Sequence, residues 1–176
     1  MGEKDLERII MEMIQEQQMK LGYEKETVRL YFPEISLKRI LHLNSEEELK
    51  TYLQEFCEEG REKFGEIIIS ERGGRYCISI PPEGSKYIHE NMPNNPFLRD
   101  LIDLFRKHNI SIEDVKDVFK TYSRNYSCEK QDGIEFDYLL YFQDKQPDPY
   151  YYCVKFDEGH ASYHRFSEED LKEIME

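Results

Sequence analysis

The apolar residues of this chain change their spacing partway along it, and few architectures accommodate that change. Leu6, Ile9, Ile10 and Met13 recur at intervals of three and four, the spacing of one face of a helix. Beyond Tyr122 the apolar residues alternate instead, as in Phe136, Tyr138, Leu140 and Phe142 against Leu139 and Tyr141, the spacing of strands. Helices come first and strands gather towards the end, which predicts an α+β fold and not an alternating parallel one.

In the first half the spacing predicts a helix over 4–20, stopped by Gly22, and a second over 34–43 behind Pro33. Ser45 to Glu48 reads as a capping box, in which a hydroxyl and a carboxylate each take up a backbone N–H, so a third helix starts there with Leu49, Leu53, Phe56 and Cys57 on its inner face. Two β-rich runs, 66–71 and 76–80, flank Gly73-Gly74. A two-residue glycine loop sets Ile69 opposite Ile78, Ile67 opposite Ile80 and Ser70 opposite Cys77. Pro81 and Pro82 end the second run, and 89–96 reads as a linker.

Asn95 followed by Pro96 opens a helix through Phe105 that Asn109 can close, and Ser111 with Asp114 opens the next. Four strands are then expected near 122–128, 134–142, 150–157 and 160–166, forming an antiparallel sheet, with a short helix capped at Ser167. Because both faces of 134–142 are apolar, that strand belongs in the sheet interior.

With 24 basic against 37 acidic residues the net charge is −13, and its distribution restricts partners. Residues 1–60 hold eight basic and fourteen acidic side chains, 61–110 eight and seven, and 111–176 eight and sixteen. Any attraction to a polyphosphate must therefore come from the middle of the chain. The cysteines, Cys57, Cys77, Cys128 and Cys153, show no short spacing, MGEKDLERII lacks a basic and apolar leader, and no apolar run reaches membrane-span length. The expectation is a cytoplasmic protein with free thiols, outside the membrane.

Helix, helix, capped helix, hairpin and SIPPEGSKYI follow the order of a winged-helix domain, a resemblance that covers 1–90 and leaves 91–176 as a helical pair with the antiparallel sheet. Winged helices bind DNA, bind proteins or serve as structure, so the resemblance implies no single role. At full length, RLYFP at 29–33, RYCISIPPEG at 75–84 and YHRF at 163–166 resemble a small family of uncharacterised bacterial proteins, a domain of unknown function.

The basic side chains that a nucleic-acid role would use are Arg61, Lys63, Arg72 and Arg75. Against them stand Glu46, Glu47, Glu48, Glu55, Glu58 and Glu59 on the third helix, which would lie in the groove of the duplex and repel its phosphates. In the last hairpin a Glu158-Gly159 turn places Cys153 opposite His164, near enough for a thiol–imidazole dyad, although a half-buried thiol beside a surface imidazole is the simpler outcome. His160 and His164 lie about 13 Å apart on a strand, too far to share a metal ion. Tyr138, Tyr151 and Tyr152 form an aromatic sheet that could stack a ring-shaped ligand or could merely cover the core. A pocket between this sheet and the helix from Phe97 would be the default ligand site.

The chain contains no GxSxG, P-loop, HExxH, GxGxxG or CxxC pattern, so the common hydrolase, nucleotide, zinc and dithiol chemistries lack their usual residues. The leading expectation is a non-catalytic interaction or scaffold protein that binds another protein and needs no cofactor or metal. A winged-helix transcription regulator and an enzyme or ligand-binding protein using the second sheet are the alternatives.

Overall fold

A computed structural model describes residues 2–133 and 135–175. The chain is a mixed α+β protein that divides into two compact units, with the boundary between Asn94 and Asn95.

The first unit opens with α1 (Gly2–Leu21), which buries Leu6, Ile10 and Ile14 along one stripe. The next element is a strand, β1 (Val28–Pro33), where no strand was expected. Its alternation is plain once seen: Val28, Leu30 and Phe32 are buried while Arg29, Tyr31 and Pro33 are exposed. Two helices follow, α2 (Glu34–Ile40), shorter than the expected 34–43, and α3 (Glu46–Glu59). Ser45 accepts the Glu48 N–H at 3.1 Å, and the Glu48 carboxylate accepts the N–H of Asn44, one residue outside the expected box.

A single turn, α4 (Arg61–Phe64), leads to the hairpin of β2 (Ile68–Arg72) and β3 (Arg75–Ile80). Gly73 and Gly74 hold φ of +58° and +77°, the paired positive angles of a tight hairpin turn. Ile69 pairs with Ile78 and Ser70 with Cys77 as expected, but the ladder begins at Ile68, so Ile67 is buried without pairing Ile80. The sheet order is β1-β3-β2, all antiparallel, and its inner face joins α1, α2 and α3 in one core.

A helix, α5 (Pro82–Asn91), follows β3 where none was expected and takes in residues 89–91, the start of the expected linker. Pro82 occupies a first-turn position that needs no N–H, and Gly84 is required by contact: a Cβ there would stand 2.4 Å from Ile80 Cγ2 and 2.8 Å from the Phe64 carbonyl oxygen. The absence of a side chain at Gly84 is what lets this helix approach β3 and α4.

The second unit contains α6 (Pro96–Phe105), capped by Asn95, and α7 (Ile112–Tyr122), which has the full Ser111–Asp114 capping box. A four-stranded meander follows in sequence order: β4 (Tyr126–Lys130), β5 (Tyr138–Phe142), β6 (Tyr151–Asp157) and β7 (His160–Phe166). The expected strand at 122–128 starts later because α7 runs to Tyr122, and Ile134, the expected start of the next, lies outside the described residues. β5 is interior, as its two apolar faces require. Phe97, Phe119, Phe142 and Tyr152 pack edge to face on one side of the sheet at centroid distances of 4.9–5.9 Å. On the other side Leu139 and Cys153 meet Leu171 of α8 (Glu168–Met175).

Candidate functional site

The site with the most chemistry lies in the first unit, between α3 and the hairpin. Burial of Leu49, Leu53 and Phe56 fixes which way α3 faces, and that leaves Glu46, Glu47, Glu48, Glu55, Glu58 and Glu59 exposed to solvent. Lys50 is the one basic residue of the helix, and Glu46 takes it up at 2.9 Å; this bond holds the Glu46 carboxyl below its ordinary range and the lysine above its own. The outward face of α3 is thus anionic, with its single cation already paired.

Beside that face lies a cavity of about 380 Å³. Leu53, Cys57, Ile69 and Tyr76 supply its apolar surface, and Lys50, Gln54 and Glu71 its polar edge. Tyr76 is 2% exposed, and its buried hydroxyl has no hydrogen-bond partner, an arrangement that costs about 1–3 kcal/mol when nothing satisfies it. Burial, with help from Glu34 and Glu46, pushes the ionisation of this phenol to higher pH, and burial likewise pushes the Cys57 thiol up. Both groups stay neutral at neutral pH, so the cavity offers a donor hydroxyl over an apolar floor.

The four basic residues singled out from sequence do not form one patch. Arg61 and Lys63 lie on α4, and Lys63 is held by Glu7 at 2.6 Å. Arg72 and Arg75 face each other at the start of the hairpin turn, both exposed. Their companion on the sheet is Arg29, which sequence reading missed because β1 was missed; the alternation of VRLYFP was the available signal.

In the second unit the register opposes Cys153 to His164, as the turn chemistry required. Cys153 is 2% exposed and packed with Leu139 and Leu171, and burial drives its thiol up to about 11, the opposite of an activated nucleophile. The His164 ring is exposed, 5.4 Å from Phe136. His160 and His164 are on the same strand, and among the described residues no three His, Cys, Asp or Glu side chains converge on one point.

The three tyrosines are not brought together. Tyr152 is fully buried among the rings that face α6 and α7, which fill the space where a ligand pocket was expected. Tyr138 shares its side of the sheet, half-buried against Phe156 at 6.1 Å, whereas Tyr151 is on the opposite side, 4.8 Å from Tyr141.

Sequence reading also passed over Asp148. It is 1% exposed, accepts the Tyr150 N–H at 2.9 Å, and pairs with Arg165 at 3.5 Å, while the Arg165 guanidinium lies 4.1 Å from the centre of the Tyr150 ring. Burial outweighs the arginine and raises this carboxyl. The cluster secures the loop between β5 and β6.

Among the described residues no helix is long and apolar enough to cross a membrane. No curated protein and no solved structure matches the chain. A family model does match, over residues 3–175, and the chain belongs to that family, described as a domain of unknown function, E. rectale gene description (DUF3877).

Proposed function

We propose that this chain is a cytoplasmic, non-catalytic interaction protein whose first unit is a winged-helix-type module that binds a basic segment of a partner protein. The order helix, strand, helix, helix, a single helical turn, strand, strand, with the sheet ordered β1-β3-β2, supports the winged-helix reading, on which α3 would be the helix that reads a nucleic-acid groove. The observation that carries the proposal is the outward face of α3: six exposed glutamates and one lysine already paired. Such a face opposes phosphates and favours lysine or arginine side chains. The adjoining cavity, with the Tyr76 hydroxyl unsatisfied in its wall, suits an apolar anchor carrying a hydrogen-bond acceptor.

Fluorescence anisotropy tests this with a labelled peptide of alternating lysine and leucine and, separately, a labelled DNA duplex. The peptide should bind the intact chain, weakened at least tenfold by Glu47→Lys with Glu55→Lys, and the duplex should not. Duplex binding at physiological salt that is lost on Arg72→Ala with Arg75→Ala would replace this reading with the transcription regulator.

A further inference from the structure

The outer face of the first unit's sheet inverts the charge of the molecule. Antiparallel register places Arg29, Ser79 and Ile68 in one cross-strand row, Tyr31, Cys77 and Ser70 in the next, and Pro33, Arg75 and Arg72 in the third. Cross-strand partners share a face, so these rows form the side opposite the buried Leu30 and Ile78. No carboxylate stands in any row, although the chain carries 37 acidic residues. Arg29, Arg72 and Arg75 are all exposed, and among the described residues none of them forms an ion pair. Tyr31 and Ile68 are 58% and 61% exposed, two of the most exposed large apolar side chains of the unit.

We propose that this face is a second docking surface, for an extended acidic segment of a partner protein. Charge complementarity sets the class, since arginine forks bind carboxylates and tyrosine with arginine is the composition of binding hot spots. Spacing sets the pattern. Arg29 pairs across from Ser79, four residues along β3 from Arg75, which is about 13 Å at roughly 3.3 Å per residue. An extended peptide presents residues i, i+2 and i+4 on one side over the same span. Carboxylates at i and i+4 reach Arg29 and the Arg72–Arg75 pair, and an apolar side chain at i+2 covers Tyr31. A nucleic acid fits less well, because its phosphates continue past this short face onto a molecule of net charge −13. The surface is independent of the α3 face, and the two together would let one unit bridge partners of opposite charge.

A fluorescein-labelled peptide with the core Glu-Ser-Leu-Ser-Glu, titrated against the full chain at low and physiological salt, tests the assignment. Binding should weaken with salt, fall at least tenfold in Arg29→Glu with Arg75→Glu, and fall by a smaller factor in the milder Arg29→Gln with Arg75→Gln. Glu47→Lys, which reports on α3, should leave it unchanged. Equal binding by the arginine variants, no binding by the parent chain, or displacement of the peptide by an octameric oligouridylate at lower concentration would overturn the proposal. So would sedimentation equilibrium showing a dimer that the same arginine variants abolish, since a second copy would then be the occupant.

Discussion

Cys153 stands directly across the β6–β7 ladder from His164, yet the two side chains occupy different environments: the thiol is sealed with Leu139 and Leu171 while the imidazole is exposed beside Phe136. With its ionisation pushed up to about 11, Cys153 is a thiol at neutral pH. Peptide-resolved alkylation with iodoacetamide at pH 7.5 should modify it at least tenfold more slowly than Cys77. A rate for Cys153 equal to or above that of Cys77 would show an activated thiol and revive an enzymatic reading of this sheet.

The same shift has a consequence for stability. The folded chain holds the Cys153 proton more tightly than the unfolded chain, so stability is fully present below the ordinary thiol range and declines as pH rises from there to about 11. The decline attributable to this group is about 1.4 kcal/mol per pH unit within that window. Urea unfolding of the parent and of Cys153→Ala at pH 8, 9 and 10 should show the steeper loss in the parent; parallel curves would contradict the assignment.

Asp148 and Arg165 form a buried pair in which each partner compensates the other. Asp148→Ala removes the buried carboxylate that faces Arg165 and takes up the Tyr150 N–H, and should cost about 3 kcal/mol by chemical denaturation. Asp148→Asn keeps an acceptor for the Tyr150 N–H and should cost less.

Gly84→Ala adds a methyl group against Ile80 and the Phe64 carbonyl, at distances no ordinary contact tolerates. A loss of about 1–3 kcal/mol is expected, although alanine is the better helix former. A stabilised variant would mean that α5 does not sit against α4 and β3 as described.

Tyr76→Phe deletes a buried hydroxyl that has no partner in the isolated chain. It should leave stability unchanged or raise it by about 1 kcal/mol, while weakening the lysine-leucine peptide if that ligand supplies the missing acceptor. Destabilisation together with unaltered peptide binding would remove Tyr76 from the site.

Where a structural decision is local, the residues announced it. Gly73-Gly74 and Glu158-Gly159 set two hairpin registers, including the Cys153–His164 opposition, because a two-residue loop leaves one way for the flanking strands to pair. Ser111 with Asp114 and Asn95 before Pro96 marked two helix starts, because a cap is made by side chains within one turn of the backbone they satisfy.

What the residues did not announce depends on partners distant in the chain. VRLYFP became β1 only by pairing with β3, and that pairing, not any local signal, gathered Arg29 and Tyr31 onto a face with Arg72 and Arg75. Pro82 read only as the end of a strand, and it is the closeness of Phe64 and Ile80 that makes Gly84 a condition for packing the helix that follows. The sequence by itself therefore determined the α+β class, the caps, the hairpin registers and the acidic face of α3. Tertiary structure alone decided which side chains share a surface and which thiol or phenol is sealed from water. Burial and juxtaposition are sums over neighbours from several elements, and no window of sequence contains them.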